Sequence, residues 1–392
     1  MINWGQTPIY QERDVRTIKN AILSIVLYLA RTAMRIIYFF IKLCTKQQNK
    51  VTMLSRQSDD INLDFILLKE EIKQSLNNSN ELLEIKILCK KIPNGILGKI
   101  KYCFYIVKCM YHIATSKVCI IDGYNIAISA LNHKKNIEII QIWHAMGAIK
   151  KFGYQVLDKA EGSNSRVAKI MKMHANYTCI TCTSEATKRI YSEAFNTDLD
   201  KVQVLGMPRI DYLLGEEINK KVEEIIKETP KLKGKKNILY VPTFRKEKSV
   251  DVQKIIDAVD EEKYNLILQL HPLDKTPVEL KYKVEASTED LIKLADYVIT
   301  DYSAVAFEAA TLDKPLFFYL YDLEEYGNTR GLNINLEEEM KNNTKTNIND
   351  IIDIIASNTY NYEELKHFKE KYVQTADTKN CERIVEYIKK AI

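Results

Sequence analysis

The apolar and polar positions near the start of the chain predict one long helix. Residues 17–43 are strongly apolar but contain the charged residues Lys19, Arg31, Arg35 and Lys42. A transmembrane helix needs about 20 residues with few charges, and Arg31 lies near the middle of this stretch. The pattern therefore favours a helix that lies in the membrane interface. The alternatives are a buried helix that packs on the first domain and a single membrane span.

A second apolar and basic segment covers residues 90–117. Its lysines are Lys90, Lys91, Lys99, Lys101 and Lys108 along its first two thirds, and Lys117 at its end. Such a segment either adds to the membrane contact or forms an ordinary surface helix with one buried face. The sequence leaves both interpretations open.

Farther along the chain, short apolar runs alternate with amphipathic segments. The runs are VCIIDGYN, IEIIQIWH, YTCITCTSE, VQVLGMP, NILYVPTF, NLILQLHP, DYVITDYS and PLFFYLY. Runs of this kind are typical of buried strands, and helices between them indicate an α/β fold with parallel strands. A charged stretch at residues 215–236 separates two groups of runs. We therefore expect an N-terminal segment at 1–60, a first domain at 61–215 and a second domain at 216–392.

Composition narrows the class of protein. A chain of 392 residues that is 46% hydrophobic and 28% charged is typical of a soluble globular enzyme with two domains. The net charge of +5, from 57 basic and 52 acidic residues, argues against a nucleic-acid partner. The eight scattered cysteines indicate reduced thiols in the cytosol. Cys179 and Cys182 form an isolated CxxC without a second pair, so we expect no zinc site there.

Two histidines follow predicted strands and are candidates for chemistry. His144 comes after IEIIQI and before Lys150 and Lys151, and His271 comes after NLILQL. A histidine at the carboxyl end of a strand can face a cleft and accept a proton from a hydroxyl. A single histidine is more often structural, and two such histidines together favour the functional interpretation.

Candidate anion-binding residues also follow strands. The polar turn from Thr300 to Ser303 precedes a helix whose first N–H groups could bind a diphosphate, although Asp301 or Ser303 could equally cap that helix. Thr243 and Arg245 end another strand, and Arg209 follows VQVLGMP. Arginine suits bidentate phosphate binding, whereas an isolated surface arginine usually has no specific role.

Familiar motifs for other enzyme classes are absent from the sequence. It contains no GxxxxGK[ST], no GxGxxG after a first strand, no GxSxG and no HExxH. No histidine and carboxylate cluster has metal-ligand spacing, so we expect no bound metal and no required cofactor. Magnesium could still stimulate a reaction by pairing with a free diphosphate.

Six sequence blocks, taken in order, resemble the CDP-glycerol glycerophosphotransferase family of teichoic acid synthesis. The blocks are QIWHAMGAIKKFG, TSEATKRIYSEAFN, VLGMPRIDYLL, ILYVPTFR, LQLHP and LADYVITDYSAVAFEAATLDKPLFFYLYDLEEY. The resemblance spans roughly residues 100–340. The chain departs from the usual family pattern at Ala145 and Ala304, where glycine and serine are expected. The resemblance implies a GT-B fold, in which two Rossmann-like domains face a cleft and the C-terminal domain holds the nucleotide.

The same resemblance implies a reaction and the residues that perform it. A terminal hydroxyl of a lipid-linked polymer attacks the β-phosphate of a CDP-alditol, and CMP leaves. His144 would be the general base and His271 would contact the diphosphate. The residues expected around the CDP moiety are Arg245, Asp301, Tyr302 and Ser303, with Thr243 and Arg209 nearby. Such an enzyme is expected at the cytoplasmic face of the cell membrane as a peripheral protein.

Other functions remain open at this stage. The same fold could serve a nucleotide-sugar glycosyltransferase of cell-surface glycan synthesis. A non-catalytic scaffold of a wall-synthesis complex would keep the fold without the chemistry, but the presence of both His144 and His271 argues against it. The sequence does not choose between glycerol and ribitol, or between a primase and a polymerase.

Overall fold

The computed structural model describes residues 9–76, 83–245, 252–271, 273–274 and 276–391. Residues 1–8 of the expected N-terminal segment lie outside the described residues. Within the described part, the chain is an α/β protein with two parallel sheets, as the alternating pattern predicts.

The first sheet has six strands in the order β2-β1-β3-β4-β5-β6, and the second has five in the order β11-β10-β9-β7-β8. All eight predicted runs form strands, and the structure adds β1, β2 and β11. The strands are β1 Gln48–Ser55, β2 Glu84–Cys89, β3 Ser116–Ile121, β4 Glu138–Gln141, β5 Cys179–Thr181, β6 Val202–Gln203, β7 Lys236–Val241, β8 Tyr264–Leu268, β9 Tyr297–Thr300, β10 Leu316–Tyr319 and β11 Thr344–Lys345.

Helices connect the strands and cover both sheets. They are α1 Ile9–Cys44, α2 Leu63–Leu76, α3 Ile96–Thr115, α4 Ile126–Ser129, α5 Ser165–Ile170, α6 Glu185–Phe195, α7 Arg209–Leu214, α8 Glu217–Glu228, α9 Gln253–Ala258, α10 Thr288–Leu294, α11 Val305–Thr311, α12 Leu323–Thr329, α13 Leu336–Glu339, α14 Ile348–Ser357, α15 Tyr362–Tyr372 and α16 Asn380–Lys389.

Local sequence signals explain where several helices begin and end. Ser184 accepts a 3.1 Å hydrogen bond from the Thr187 N–H at the start of α6, which satisfies a backbone donor that the helix itself cannot pair. Asn196 then ends α6 in the left-handed conformation, with φ of 50°. Asn347 and Asn358 start and end α14 in the same two ways.

The first sheet is buried on both faces. One face packs against α3 and α6, through residues such as Ile113 and Phe195. The other packs against α2 and also against the C-terminal helix α16, through Phe65 and Ile384. The chain therefore returns to the first sheet after completing the second, and the C-terminal helix ties the two halves together.

Helix α1 packs on the first half of the chain through one face only. Tyr38 is 1% exposed, and its hydroxyl lies 2.9 Å from His133 Nδ1. Arg31 donates hydrogen bonds to the carbonyl oxygens of Ala130 and Ile170, at 3.3 Å and 2.9 Å. By length and composition the segment Asn20–Cys44 could cross a membrane. Because its central charge is held by the protein, the geometry favours a helix that lies against the domain.

Candidate active site at the carboxyl ends of the two sheets

His144 lies in the loop that follows β4, at the carboxyl edge of the first sheet. Trp143 precedes it with φ of 58°, a left-handed conformation that is uncommon for a large side chain. The Trp143 ring stacks on Phe152 with centroids 4.9 Å apart, and Phe195 packs edge-on at 5.1 Å. These rings hold Trp143 in place, so the strained turn can aim His144 out of the sheet.

One hydrogen bond defines which nitrogen of His144 is free. Its Nδ1 atom lies 2.9 Å from the backbone carbonyl oxygen of Asp122. A carbonyl only accepts, so Nδ1 carries the proton in the neutral ring, and Nε2 presents a lone pair. The Gln57 side-chain nitrogen lies farther from Nδ1, at 3.3 Å.

The surroundings of His144 keep it neutral. Its side chain has a solvent-exposed part, while the ring is flanked by the Trp143 ring, with centroids 4.1 Å apart, and by the Asp122 carbonyl. Burial by these surrounding protein groups lowers the pKa of His144 to about 4, with Arg209 and Lys150 adding to the effect and the Asp122 carbonyl opposing it. A neutral imidazole with a free Nε2 can accept a proton near neutral pH.

Arg245 and Asp301 form the centre of a second cluster, at the carboxyl edge of the second sheet. Arg245 Nη1 lies 2.8 Å from Asp301 Oδ2, and its other nitrogens bind Asp322 at 2.6 Å and 2.9 Å. Asp301 Oδ1 accepts from the backbone N–H groups of Thr243 and Tyr302. The ion pairs raise the pKa of Arg245 although burial opposes them. These contacts hold three strand-end loops in a fixed arrangement.

Several buried hydroxyl groups around this cluster lack a hydrogen-bond partner within the described residues. They belong to Thr243, Tyr240, Tyr321 and Tyr326. Thr243, Tyr240 and Tyr326 are 7%, 1% and 5% exposed, so their hydroxyls are largely shielded from water. Buried polar groups are normally paired, so these atoms are candidates to bind a polar ligand.

Tyr302 and Ser303 follow Asp301 in the turn before α11. The Tyr302 ring is buried and stacks on Tyr326, with centroids 4.0 Å apart and planes within 11°. Ser303 Oγ accepts a 3.4 Å hydrogen bond from the Val305 N–H, in the manner of a helix cap. The residue at the cap position of α11 is Ala304, which has no side-chain capping bond, and α11 is only seven residues long.

His271 lies three residues beyond the end of β8 and is exposed. Its ring stacks on Phe244, with centroids 5.1 Å apart. Its Nδ1 accepts a 3.1 Å hydrogen bond from the Leu273 N–H, which leaves Nε2 as the protonated nitrogen of the neutral ring. Partial burial and the nearby Lys150 lower the pKa of His271.

Arg209 occupies a different environment from the Arg245 cluster. Its guanidinium binds Asp64 of α2 at 2.6 Å and Glu308 of α11 at 2.9 Å, and Glu289 of α10 lies 3.6 Å away. Burial alone would lower the pKa of Arg209, but the three carboxylates together raise it. Arg209 therefore joins the two halves of the chain close to His144, and its donors are already used.

The loop after His144 connects the two halves directly. Lys150 forms an antiparallel bridge with Leu332, and the Asn333 N–H donates to the Ile149 carbonyl at 2.7 Å. A side-chain carbon at Gly147 would lie 2.5 Å from the ring of Phe307 in α11. The loop therefore needs glycine there to reach the second half.

The structure brings Thr243, Arg245, Asp301 and Tyr302 together. His144 lies at the carboxyl edge of the first sheet and His271 beyond that of the second. Sequence reasoning missed Asp322, Asp122 and Asp64, which position Arg245, His144 and Arg209. The YDLEE sequence directly after β10 was the only signal for Asp322, since it places a carboxylate at a strand end. The described residues contain no group of three or more histidine, cysteine or acidic side chains that could hold a metal ion.

The fold defines an α/β protein with two parallel sheets, and comparison with known proteins gives its family and its class of enzyme. Residues 36–390 match the family model described as CDP-Glycerol:Poly(glycerophosphate) glycerophosphotransferase. The chain is 30% identical to a teichoic acid ribitol-phosphate primase of Bacillus spizizenii, over 87% of this chain and 91% of that one. It is also 30% identical to a teichoic acid glycerol-phosphate primase of Bacillus subtilis, over 91% and 95%. The chain therefore belongs to the CDP-glycerol:poly(glycerophosphate) glycerophosphotransferase family and is a phosphotransferase.

Solved structures share the fold. The wall teichoic acid polymerase TagF superposes with a TM-score of 0.71 at 19% identity, over 98% of both chains. One TagF structure is of a histidine-to-asparagine variant soaked with CDPG. A UDP-GlcNAc 2-epimerase from Neisseria meningitidis superposes with a TM-score of 0.55 at 15% identity, over 87% of this chain and all of that one.

Proposed function

We propose that this enzyme transfers glycerol phosphate or ribitol phosphate from a CDP-alditol to the terminal hydroxyl of a lipid-linked teichoic acid acceptor, at the cytoplasmic face of the membrane. The two sheets would act as the two halves of a GT-B fold. The acceptor half would be the first sheet, which begins with β1 ahead of the expected boundary at 61 and also carries the C-terminal helix α16, and the donor half would be the second sheet, within 216–392. The hydrogen bond from His144 Nδ1 to the Asp122 carbonyl carries the proposal, because it leaves Nε2 as the ring nitrogen with a free lone pair.

The transfer would proceed by in-line displacement at phosphorus. The acceptor hydroxyl oxygen forms a bond to the β-phosphorus while its proton passes to His144 Nε2. The bond from the β-phosphorus to the bridging oxygen breaks, and CMP leaves with the electron pair. His271 would donate from Nε2 to the diphosphate, since its Nδ1 is already an acceptor for Leu273.

The Arg245 cluster would form the donor site. The hydroxyls of Thr243, Tyr240, Tyr321 and Tyr326 have no partner within the described residues and are available for the CDP moiety. Arg245 and Asp301 would hold the surrounding loops in position through their ion pair. Tyr302 and Ser303 would line the same turn, and Arg209 would keep the two halves of the cleft together. The reaction would need no cofactor, and magnesium would act only by pairing with the diphosphate.

Two adjacent helices would hold the enzyme on the membrane. Apolar side chains of α1 are exposed, including Leu29 at 65% and Phe40 at 58%. Apolar side chains of α3 are exposed as well, including Ile96 at 79% and Phe104 at 73%. Lysines accompany them on α3, a combination that suits the interface of a membrane with anionic lipids.

The proposed reaction is tested by CMP release from purified enzyme. CDP-glycerol and CDP-ribitol are each supplied with a lipid-linked acceptor, and UDP-sugars are supplied in parallel. The expected result is CMP release with a CDP-alditol and its loss in His144→Ala. His367→Ala, which alters an exposed histidine on α15, serves as the matched control. Release of UDP in place of CMP would favour the glycosyltransferase alternative.

A further inference from the structure

The cations around the cleft differ in whether a carboxylate already neutralises them. Arg209 pairs with Asp64 and Glu308, and Arg245 pairs with Asp301 and Asp322. A diphosphate in the cleft gains little from a guanidinium whose donors are already used. The residue that binds the diphosphate charge should therefore be a cation without an acidic partner.

Arg330, on the second half, is also paired with a carboxylate. Its Nη1 lies 2.8 Å from Glu161, and its Nε donates to the Lys151 carbonyl at 3.0 Å. It contributes positive charge to the cleft, but its strongest contacts are to the protein.

Lys150 is a cation of this kind, without an acidic partner among the described residues. Its side chain is half-buried, and its ammonium makes no hydrogen bond or ion pair with any residue that the structure describes. Its backbone is fixed from both sides, by the bridge to Leu332 and by the Asn333 amide, which donates to the Lys150 carbonyl at 3.1 Å. An ammonium buried without a partner is unfavourable unless a ligand supplies negative charge.

The position of Lys150 relates it to both histidines. Lys150 follows His144 on the same loop, which is bridged to Leu332 of the second half, and its charge contributes to lowering the pKa of both His144 and His271. Asp301 of the Arg245 cluster and Arg330 are also within electrostatic reach of it. The bridge to Leu332 places Lys150 where the loop that bears His144 meets the second half of the chain, the half that carries the proposed donor site.

We infer that the Lys150 ammonium binds the diphosphate of the CDP-alditol donor between His144 and His271, and stabilises the charge that develops on the departing CMP. This inference rests on the proposed function. A positive group at this point neutralises both the bridging oxygen and the non-bridging oxygens as the bond to the leaving group breaks.

A pH dependence accompanies this role. Burial, followed by the charge of Arg330, lowers the pKa of Lys150 to about 8. The ammonium form therefore predominates below pH 8 in the free enzyme and is lost as the pH rises through that value. Donor affinity, read from kcat/KM for the donor, should fall over the same range. Asp301 and Glu161 oppose the lowering of this pKa, and Arg245 adds to it.

The experiment compares Lys150→Gln with Lys159→Gln. Lys159 is an exposed lysine of the same loop that donates to the Arg330 carbonyl, so it controls for the loss of a charge nearby. CMP release is measured against donor concentration, and CDP binding is measured by calorimetry. Lys150→Gln should weaken CDP binding and lower kcat/KM for the donor by about 10- to 100-fold, and Lys159→Gln should change neither.

The variant Lys150→Arg tests the pH dependence of kcat/KM. Arginine keeps its charge at high pH, so this variant should lose the decline in kcat/KM above pH 8. Normal CDP binding by a folded Lys150→Gln enzyme would overturn the inference while leaving the transfer reaction intact. Absence of CMP release by the unmodified enzyme with either CDP-alditol would instead contradict the proposed function.

Discussion

Arg209 and Asp64 form a salt bridge of 2.6 Å between α7 and α2, although 145 residues separate them in the sequence. The same guanidinium reaches Glu308 on α11, so a single side chain joins helices that cover different sheets. Asp64 and Glu308 are 1% and 4% exposed. Both carboxylates would remain buried and uncompensated without Arg209.

Replacement of Arg209 should therefore destabilise the fold. Arg209→Leu should lower the free energy of unfolding by about 3 kcal/mol or more, because it leaves two buried carboxylates without a counter-charge. Burial already raises the pKa of Glu308 to about 7, and loss of Arg209 should raise it further. The loss of unfolding free energy in Arg209→Leu should thus be smaller at about pH 5, where Glu308 takes up a proton, than at about pH 8. Urea unfolding of the two proteins at both pH values measures this loss. An equal loss of unfolding free energy at the two pH values would contradict the account.

The pH profile of catalysis should reflect the lowered pKa of His144. The folded pKa of about 4 lies below the usual value near 6.5, so the imidazole stays neutral and able to accept a proton down to about pH 5. The acidic limb of kcat/KM should accordingly fall near pH 4 and not near pH 6.5. Steady-state rates from about pH 4 to pH 7 check this, on enzyme shown to remain folded. A limb centred near pH 6.5 would indicate that the base lies in a more open environment.

Gly147 should not tolerate a side chain. A Cβ atom there would lie 2.5 Å from the Phe307 ring, which is fully buried and stacked on Phe368. Gly147→Ala should cost about 1–3 kcal/mol of stability and reduce activity, because the loop that bears His144 must shift. Gly234→Ala is the matched control, since no atom lies within 4 Å of its added carbon. Thermal unfolding and CMP release measure both effects, and equal behaviour of the two variants would refute the argument.

The exposed apolar face of α1 should govern membrane binding. Leu29→Glu combined with Phe40→Glu should reduce binding to vesicles that contain anionic lipid by at least about tenfold, because burial of each side chain contributes about 1.5–3 kcal/mol. The double variant Leu199→Glu/Leu280→Glu changes two exposed apolar side chains elsewhere and should bind normally. Vesicle co-sedimentation makes the comparison. Unchanged binding of the α1 variant would place the membrane contact on another surface.

The sequence predicts the sheets well because buried parallel strands are short, apolar and regularly spaced. The apolar pattern does not predict strands β1 and β2, and the reason differs between the two. Strand β1 comes four residues after the long helix α1 and begins with the polar residues Gln48, Asn49 and Lys50, so it was included in the N-terminal segment. Strand β2 is an edge strand and is mostly half-buried, so its apolar pattern is weak.

The sequence predicts which residues form the candidate site, but it does not predict which ion pairs they make. Thr243, Arg245 and Asp301 follow strands, so their meeting at one edge of the sheet follows from the parallel topology. The partner of Arg209 could not be read from spacing, because Asp64 and Glu308 come from helices on different sheets. The sequence shows Lys150 only as a lysine after His144, and its position at the junction with the second half depends on the bridge to Leu332.

The proposed reaction is tested most directly by the mass of the acceptor product. Purified enzyme is incubated with a lipid-linked acceptor and each CDP-alditol, and the CMP formed is compared with the mass gained by the acceptor. The account predicts that the acceptor gains one glycerol phosphate or one ribitol phosphate for each CMP released, and that His144→Ala abolishes both. CMP formation without a gain in acceptor mass, or the gain of a sugar residue from a nucleotide-sugar, would contradict it.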